Sequence, residues 1–174
     1  MYRHALAQPV HPVYPSEYVR IAMNFNDVVL ARTLDGERYR VRNAPHLRTL
    51  RLPRELGVPD LPASTGVAGF RDDGEGRYVH LAADEVELSL AAVDARLPML
   101  ADANARILSA TRDGELYRFE LRAHVPLEFA LANAERCSVS ADGRALAAQR
   151  RDGALTHFRL SAHAATIELR CRLA

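Results

Sequence analysis

A chain of 174 residues is long enough for one well-cored domain and short for two, so one domain with a tail is expected. Its 23 Lys+Arg and 22 Asp+Glu nearly cancel to a net charge of +1, which argues against nucleic acid and against insertion into or binding to an anionic membrane, partners met by strongly basic surfaces. Every basic residue is Arg, and without Lys a Walker A phosphate loop and a Schiff-base lysine are both excluded.

Arg3 to Gln8 has the character of a helix end, and Pro9, Pro12 and Pro15 then interrupt regular structure. Ser16 is placed to cap a short helix whose Tyr18, Ile21, Ala22 and Phe25 recur at helical spacing. A chain opening in this way reads as a fragment of a larger protein. Residues 1–25 are then the tail of a preceding domain and a linker, and residues 26–174 the domain proper.

From Asn26 onward the pattern turns to period two. Tyr39 and Val41 alternate with Arg38, Arg40 and Arg42 behind Asp35-Gly36, and Asp-Gly recurs at Asp73, Asp113, Asp142 and Asp152. This dipeptide suits the positive φ angles of a type I′ hairpin turn, so five of them predict an all-β fold. The first three turns lie near a propeller-blade spacing, but there is no Trp-Asp signature and the later turns break the period, so shared hairpin chemistry is the better account. The stretch from Asn43 to Phe70, with four prolines and a short strand around Leu47, Leu50 and Leu52, is read as an irregular cover over a sheet edge in preference to a binding surface.

A strand follows at Val86, Leu88 and Leu90, then a connector around Pro98 and Asn104. The clearest alternation runs from Tyr117 to Leu131, where every odd position is apolar. Pro126 falls on the outward parity and predicts a bend between two strands, where the chain passes from one sheet to another. Such a ribbon needs a second apolar sheet face. The expected fold is therefore an all-β, antiparallel β-sandwich, jelly-roll-like, with a short N-terminal helical and proline-rich tail. A closing strand is expected from Ile167 to Leu173.

Cys137 and Cys171 lack zinc or redox spacing. They are either two small buried hydrophobes or, because both lie on alternating runs, a bridge between neighbouring strands. No signal peptide, transmembrane run or Asn-x-Ser/Thr sequon is visible.

Little here carries chemistry. The seven histidines include no His-Glu-x-x-His and no pair at ligand spacing, so they read as surface or capping residues, and no metal or cofactor is expected. Asp72-Asp73 leads into Gly74 and reads as a turn, not a carboxylate dyad. No nucleophile elbow appears, so no catalytic residue is assigned and an independent small hydrolase is the weakest of the readings. For sugar binding, Tyr78 and His80 share a parity opposite Val79 and Leu81. Either they project together as a modest platform, or they face the core while Val79 and Leu81 pack under the proline-rich loop. Arg118, Arg122 and His124, with Glu120, are read as a solvated ion-pair face in preference to an acid-binding site.

The run from Tyr2 to Arg20 (YRHALAQPVHPVYPSEYVR) resembles the end of the deacetylase domain in bifunctional bacterial glycoside hydrolase/polysaccharide deacetylase proteins of the Pel exopolysaccharide type. The runs Leu47–Pro53, Tyr78–Leu81 and His124–Phe129 resemble the region that follows that domain. The resemblance implies a C-terminal accessory β domain of a periplasmic or extracellular polysaccharide-modifying enzyme. Its partners would be the parent catalytic domain and either an amino-sugar polysaccharide or a protein of an export or biofilm machine. The family's metal-binding Asp and His-x-x-x-His motifs have no counterpart here, so no deacetylase residue is transferred.

Overall fold

The computed structural model describes residues 14–33, 38–92 and 96–171. Its elements are a helix α1 (Pro15–Asp27) and strands β1 (Val29–Arg32), β2 (Arg38–Arg42), β3 (Thr49–Leu52), β4 (Val58–Pro59), β5 (Val67–Asp72), β6 (Arg77–Leu81), β7 (Val86–Ala91), β8 (Met99–Ala103), β9 (Arg106–Asp113), β10 (Leu116–Arg122), β11 (Glu128–Ala132), β12 (Cys137–Ala141), β13 (Arg144–Ala145), β14 (Arg150–Asp152), β15 (Leu155–Arg159) and β16 (Ala164–Cys171). The expected all-β, sandwich-like fold with a short N-terminal helix is what forms.

The strands pair antiparallel in four sheets, ordered β1-β2-β7-β4, β3-β6-β5, β14-β15-β11-β8 and β13-β12-β16-β10-β9. Their buried residues divide into two clusters. Val41, Phe70, Val79, Leu81 and Leu88 centre one on the first two sheets, while Phe119, Leu121, Phe129, Leu131 and Ile167 centre the other on the last two. The clusters interlock at their boundary, where Met99 and Ala101 of β8 join the first and Ala68 of β5 joins the second. There β5 runs against β8 so closely that a Cβ built on Gly69 would collide with the Leu100 carbonyl. Only glycine permits that approach.

Period-two burial is regular where it was read. In β10, Tyr117, Phe119 and Leu121 are buried between exposed Arg118, Glu120 and Arg122. In β2, Tyr39 and Val41 are buried between exposed arginines. The ribbon breaks at Pro126 as expected: β10 belongs to one sheet and β11 to the other. Asn104 holds the bend, donating from Nδ2 to the Pro126 carbonyl at 3.0 Å and accepting the Glu128 N–H on Oδ1 at 2.8 Å.

The Asp-Gly turns differ in detail. Among the described Asp-Gly turns, only Asp142-Gly143 forms a two-residue loop with both φ positive (48° and 76°), as a type I′ turn requires. At β9–β10 and β14–β15 the aspartate ends the strand and the loops are Gly114-Glu115 and Gly153-Ala154. At β5–β6 the loop is longer, and Asp73 accepts the N–H groups of Glu75 and Gly76 at 2.8 and 3.0 Å. Asp35-Gly36 lies outside the described residues, as do the tail before Tyr14 and the last two residues of the expected closing strand, Arg172 and Leu173.

Three other expectations change. The stretch from Asn43 to Phe70 is less irregular than its prolines suggest: β3 pairs with the edge of β6 and β4 with β7. Ser16 does not cap the helix, because Tyr14 is the N-cap residue, without a side-chain bond, and Pro15 opens the first turn, where its missing N–H costs nothing. Nor does the apolar stripe of α1 face the core. Tyr18, Met23 and Phe25 are 65%, 65% and 72% exposed, and the buried helix residue is Asn24.

Cys137 and Cys171 stand directly opposite each other in the β12–β16 ladder and are joined by a disulfide of 2.04 Å. Their backbone N–H groups bond elsewhere, to Ala134 and Glu115. They therefore form a non-hydrogen-bonded pair, the closer of the two antiparallel pair types, with Cα atoms 4.0 Å apart.

Candidate functional site

The boundary between the two clusters opens into a cleft of about 440 Å³, walled by α1, the segment leading into β3, the outer face of the β3-β6-β5 sheet, the end of β8 and the start of β9. Strand parity builds its floor. Val79 and Leu81 take the buried side of β6, which turns Tyr78 and His80 to the other face, and both line the cleft. Pairing register then sets their neighbours: Arg51 and Arg71 flank Tyr78, and Thr49 and Gly69 flank His80. Val79 and Leu81 belong to the buried cluster against which Leu47, Leu50 and Val58 of the proline-bearing stretch pack, while Tyr78 and His80 share the other, half-buried face.

His80 donates from Nε2 to the Ala101 carbonyl at 2.9 Å, so the neutral ring keeps Nδ1 as an acceptor. Burial lowers its pKa below the ordinary imidazole value, against the Ala101 bond and the charge of Asp102, which raise it. Beside it Arg71 is paired with Asp102 at 2.7 Å.

The cleft also carries two cationic residues, Arg48 just before β3 and Arg106 at the start of β9. Arg48 donates from Nη2 to Asp84 at 2.9 Å, and Arg106 donates from Nη2 to the Pro45 carbonyl. Nε and Nη1 of Arg48 and Nε of Arg106 are buried without any partner. Leaving such donors unmade costs about 1–3 kcal/mol each. Burial, and then the charge of Arg106, lowers the Arg48 pKa, with Asp84 acting the other way. His46 between them is lowered by burial first and then by Arg106, Arg20 and Arg48, opposed by Glu17.

Helix α1 closes the cleft with Glu17 and Ile21. Its attachment is polar. Asn24 donates to the Asn43 carbonyl at 2.7 Å and accepts the N–H groups of His46 and Leu47 at 3.1 and 3.3 Å. Glu17 bonds His124, whose ring also meets Tyr14 edge-on at 4.7 Å. His124 is thus a helix anchor and not part of the solvated face assigned to it. Arg118 does lie on such a face, half exposed and paired with Glu168 at 2.7 Å, and Arg122 is exposed.

Sequence reasoning reached Tyr78 and His80 but missed Arg48, Arg106, Asn24 and the Glu17–His124 contact. Arg106 meets Pro45 across 61 residues, a juxtaposition that no local spacing signals. Among the described residues there is no group of three His, Cys, Asp or Glu able to hold a metal ion, and no helix long and apolar enough to cross a membrane.

Fold and site together define an antiparallel, sandwich-like β protein with one covering helix and an arginine-walled cleft between its two cores. No family model, curated protein or solved structure matches the chain.

Proposed function

We propose that this chain is a non-catalytic accessory β domain of an extracytoplasmic polysaccharide-modifying enzyme, and that the cleft holds glycan near the active site of the parent catalytic domain. The observation that carries the reading is the projection of Tyr78 and His80 from one face of β6 into a cleft. The pair supplies what sugar recognition uses, an aromatic body with a polar edge and a neutral imidazole acceptor beside it. The disulfide is compatible with an oxidising, extracytoplasmic compartment. The test is calorimetric titration of the protein with a series of sugar oligomers, neutral N-acetylated, partly deacetylated and acidic (oligogalacturonate). Saturable binding that weakens about tenfold or more in Tyr78→Ala supports the proposal, and a flat titration with the whole series removes it.

A second reading, docking to a protein of an export or biofilm machine, is favoured by a different surface. Tyr14, Tyr18, Val19, Met23 and Phe25 of the helix region and Val29 and Leu30 of the β1 edge strand are all about half exposed or more. Large exposed apolar patches mark interaction sites. Substituting Tyr18 and Phe25 by Ser would abolish capture by such a partner while leaving glycan titrations unchanged.

A further inference from the structure

We propose that the arginine wall of the cleft is an oxyanion site in which Arg48 and Arg106 take the carboxylate of an acidic sugar, so that the glycan it holds is negatively charged and not a cationic, deacetylated amino-sugar chain. The inference rests on the glycan reading of the cleft and adds to it the charge of the ligand.

The molecule contains its own standard for a structural arginine. Arg77 is 5% exposed. It gives Nε and Nη2 to the two oxygens of Asp72 at 2.7 and 2.8 Å, gives Nη1 to the Gly57 carbonyl, and lies over the Phe70 ring at 5.3 Å. Each of its nitrogens is bonded. Arg48 and Arg106 instead leave three buried nitrogens without acceptors, on two residues that line a cleft.

The nearby carboxylates do not make up the difference. Glu17 is tied to His124, Asp102 to Arg71 and Asp84 to Nη2 of Arg48, and no described carboxylate is paired with Arg106. A carboxylate offers two oxygens able to accept several N–H bonds, and guanidinium groups match it better than any other side chain does. Tyr78 and His80, which line the same cleft, then meet the ring and hydroxyls of the sugar that bears the acid. An ammonium-bearing sugar would instead place like charge against the arginines.

The test is titration of the wild-type protein at low salt with four probes: oligogalacturonate, an uncharged N-acetylglucosamine oligomer of the same length, the matching glucosamine oligomer, and inorganic phosphate. Oligogalacturonate is expected to bind at least tenfold tighter than the uncharged oligomer, with the glucosamine oligomer weakest. Arg48→Gln and Arg106→Gln should each lose tenfold or more, Arg106→Lys, which keeps the charge but not the guanidinium fork, should recover only part of the affinity, and added salt should weaken binding. An uncharged oligomer that binds as tightly as the acid, with Arg106→Gln without effect, overturns the oxyanion inference while leaving the glycan reading intact. Phosphate binding that competes with oligogalacturonate and ignores Tyr78→Ala keeps the anion site and overturns the sugar. Silence with all four probes overturns both. The probe ranking is measured on wild-type protein, so it decides the matter even if a variant fails to fold.

Discussion

Replacing Asn24 by Ala should release helix α1 from the rest of the molecule without unfolding it. A thirteen-residue helix is marginal in water by itself, and most of the apolar arc of this one faces outward, so burial contributes little to holding it. Its main tie is the Asn24 side chain, 7% exposed, with three hydrogen bonds into the 43–47 segment, and the Glu17–His124 contact is a second. At about 0.5–1.5 kcal/mol net per bond, their loss amounts to roughly 1.5–4.5 kcal/mol, a tenfold to thousandfold rise in the open population of the helix. Native-state hydrogen exchange reads this directly, as lost amide protection over 15–27 while the strands of the second cluster keep theirs. Ser16→Ala is the control and should change stability by less than about 0.5 kcal/mol, since Ser16 makes no cap. If Asn24→Ala leaves helix protection unchanged, Asn24 is not the main tie that holds α1.

The Cys137–Cys171 bridge closes a loop with a sequence separation of 34 residues, for which the chain-entropy relation gives about 4 kcal/mol. The double Ala variant should show a urea midpoint lowered accordingly, and a loss below about 1 kcal/mol would mean that the bridge constrains little. Gly69→Ala should cost about 3 kcal/mol through its collision with the Leu100 backbone, and a melting temperature within two degrees or so of wild type would refute the close approach of β5 and β8. His80 has a folded pKa below its unfolded value, so between those two values the unfolded chain binds more protons. Stability should therefore fall as pH drops below about 6.5, and His80→Gln, which keeps a donor for Ala101, should flatten part of that slope, with the His46 shift supplying more. Identical pH profiles for wild type and variant would count against a buried neutral His80.

The strands were legible because each one states its own buried face. Tyr117, Phe119 and Leu121 announce their side through alternation alone, and the same parity puts Val79 and Leu81 inward and leaves Tyr78 and His80 together. The bridge needed one more fact, the register that sets Cys137 opposite Cys171, which alternation allows but does not select. Helix α1 misleads because most of its apolar periodicity, Tyr18, Ala22 and Phe25, falls on exposed positions and only Ile21 reaches the cleft, while the docked face is signalled by a single asparagine that has no periodicity at all. The cationic wall was out of reach for a related reason. Arg48 and Arg106 are two among many arginines, and only the tertiary meeting of the segment before β3 with the start of β9 sets them apart.

Helix α1 belongs to two surfaces at once. Glu17 and Ile21 form part of the cleft wall, while Tyr18 and Phe25 on its outer side are left open. A helix with its side chains is about 10–12 Å across, so anything seated on the outer side lies within about that distance of whatever occupies the cleft. Both surfaces therefore share this one helix, and a substitution that displaces α1 should alter the cleft and the outer apolar side together.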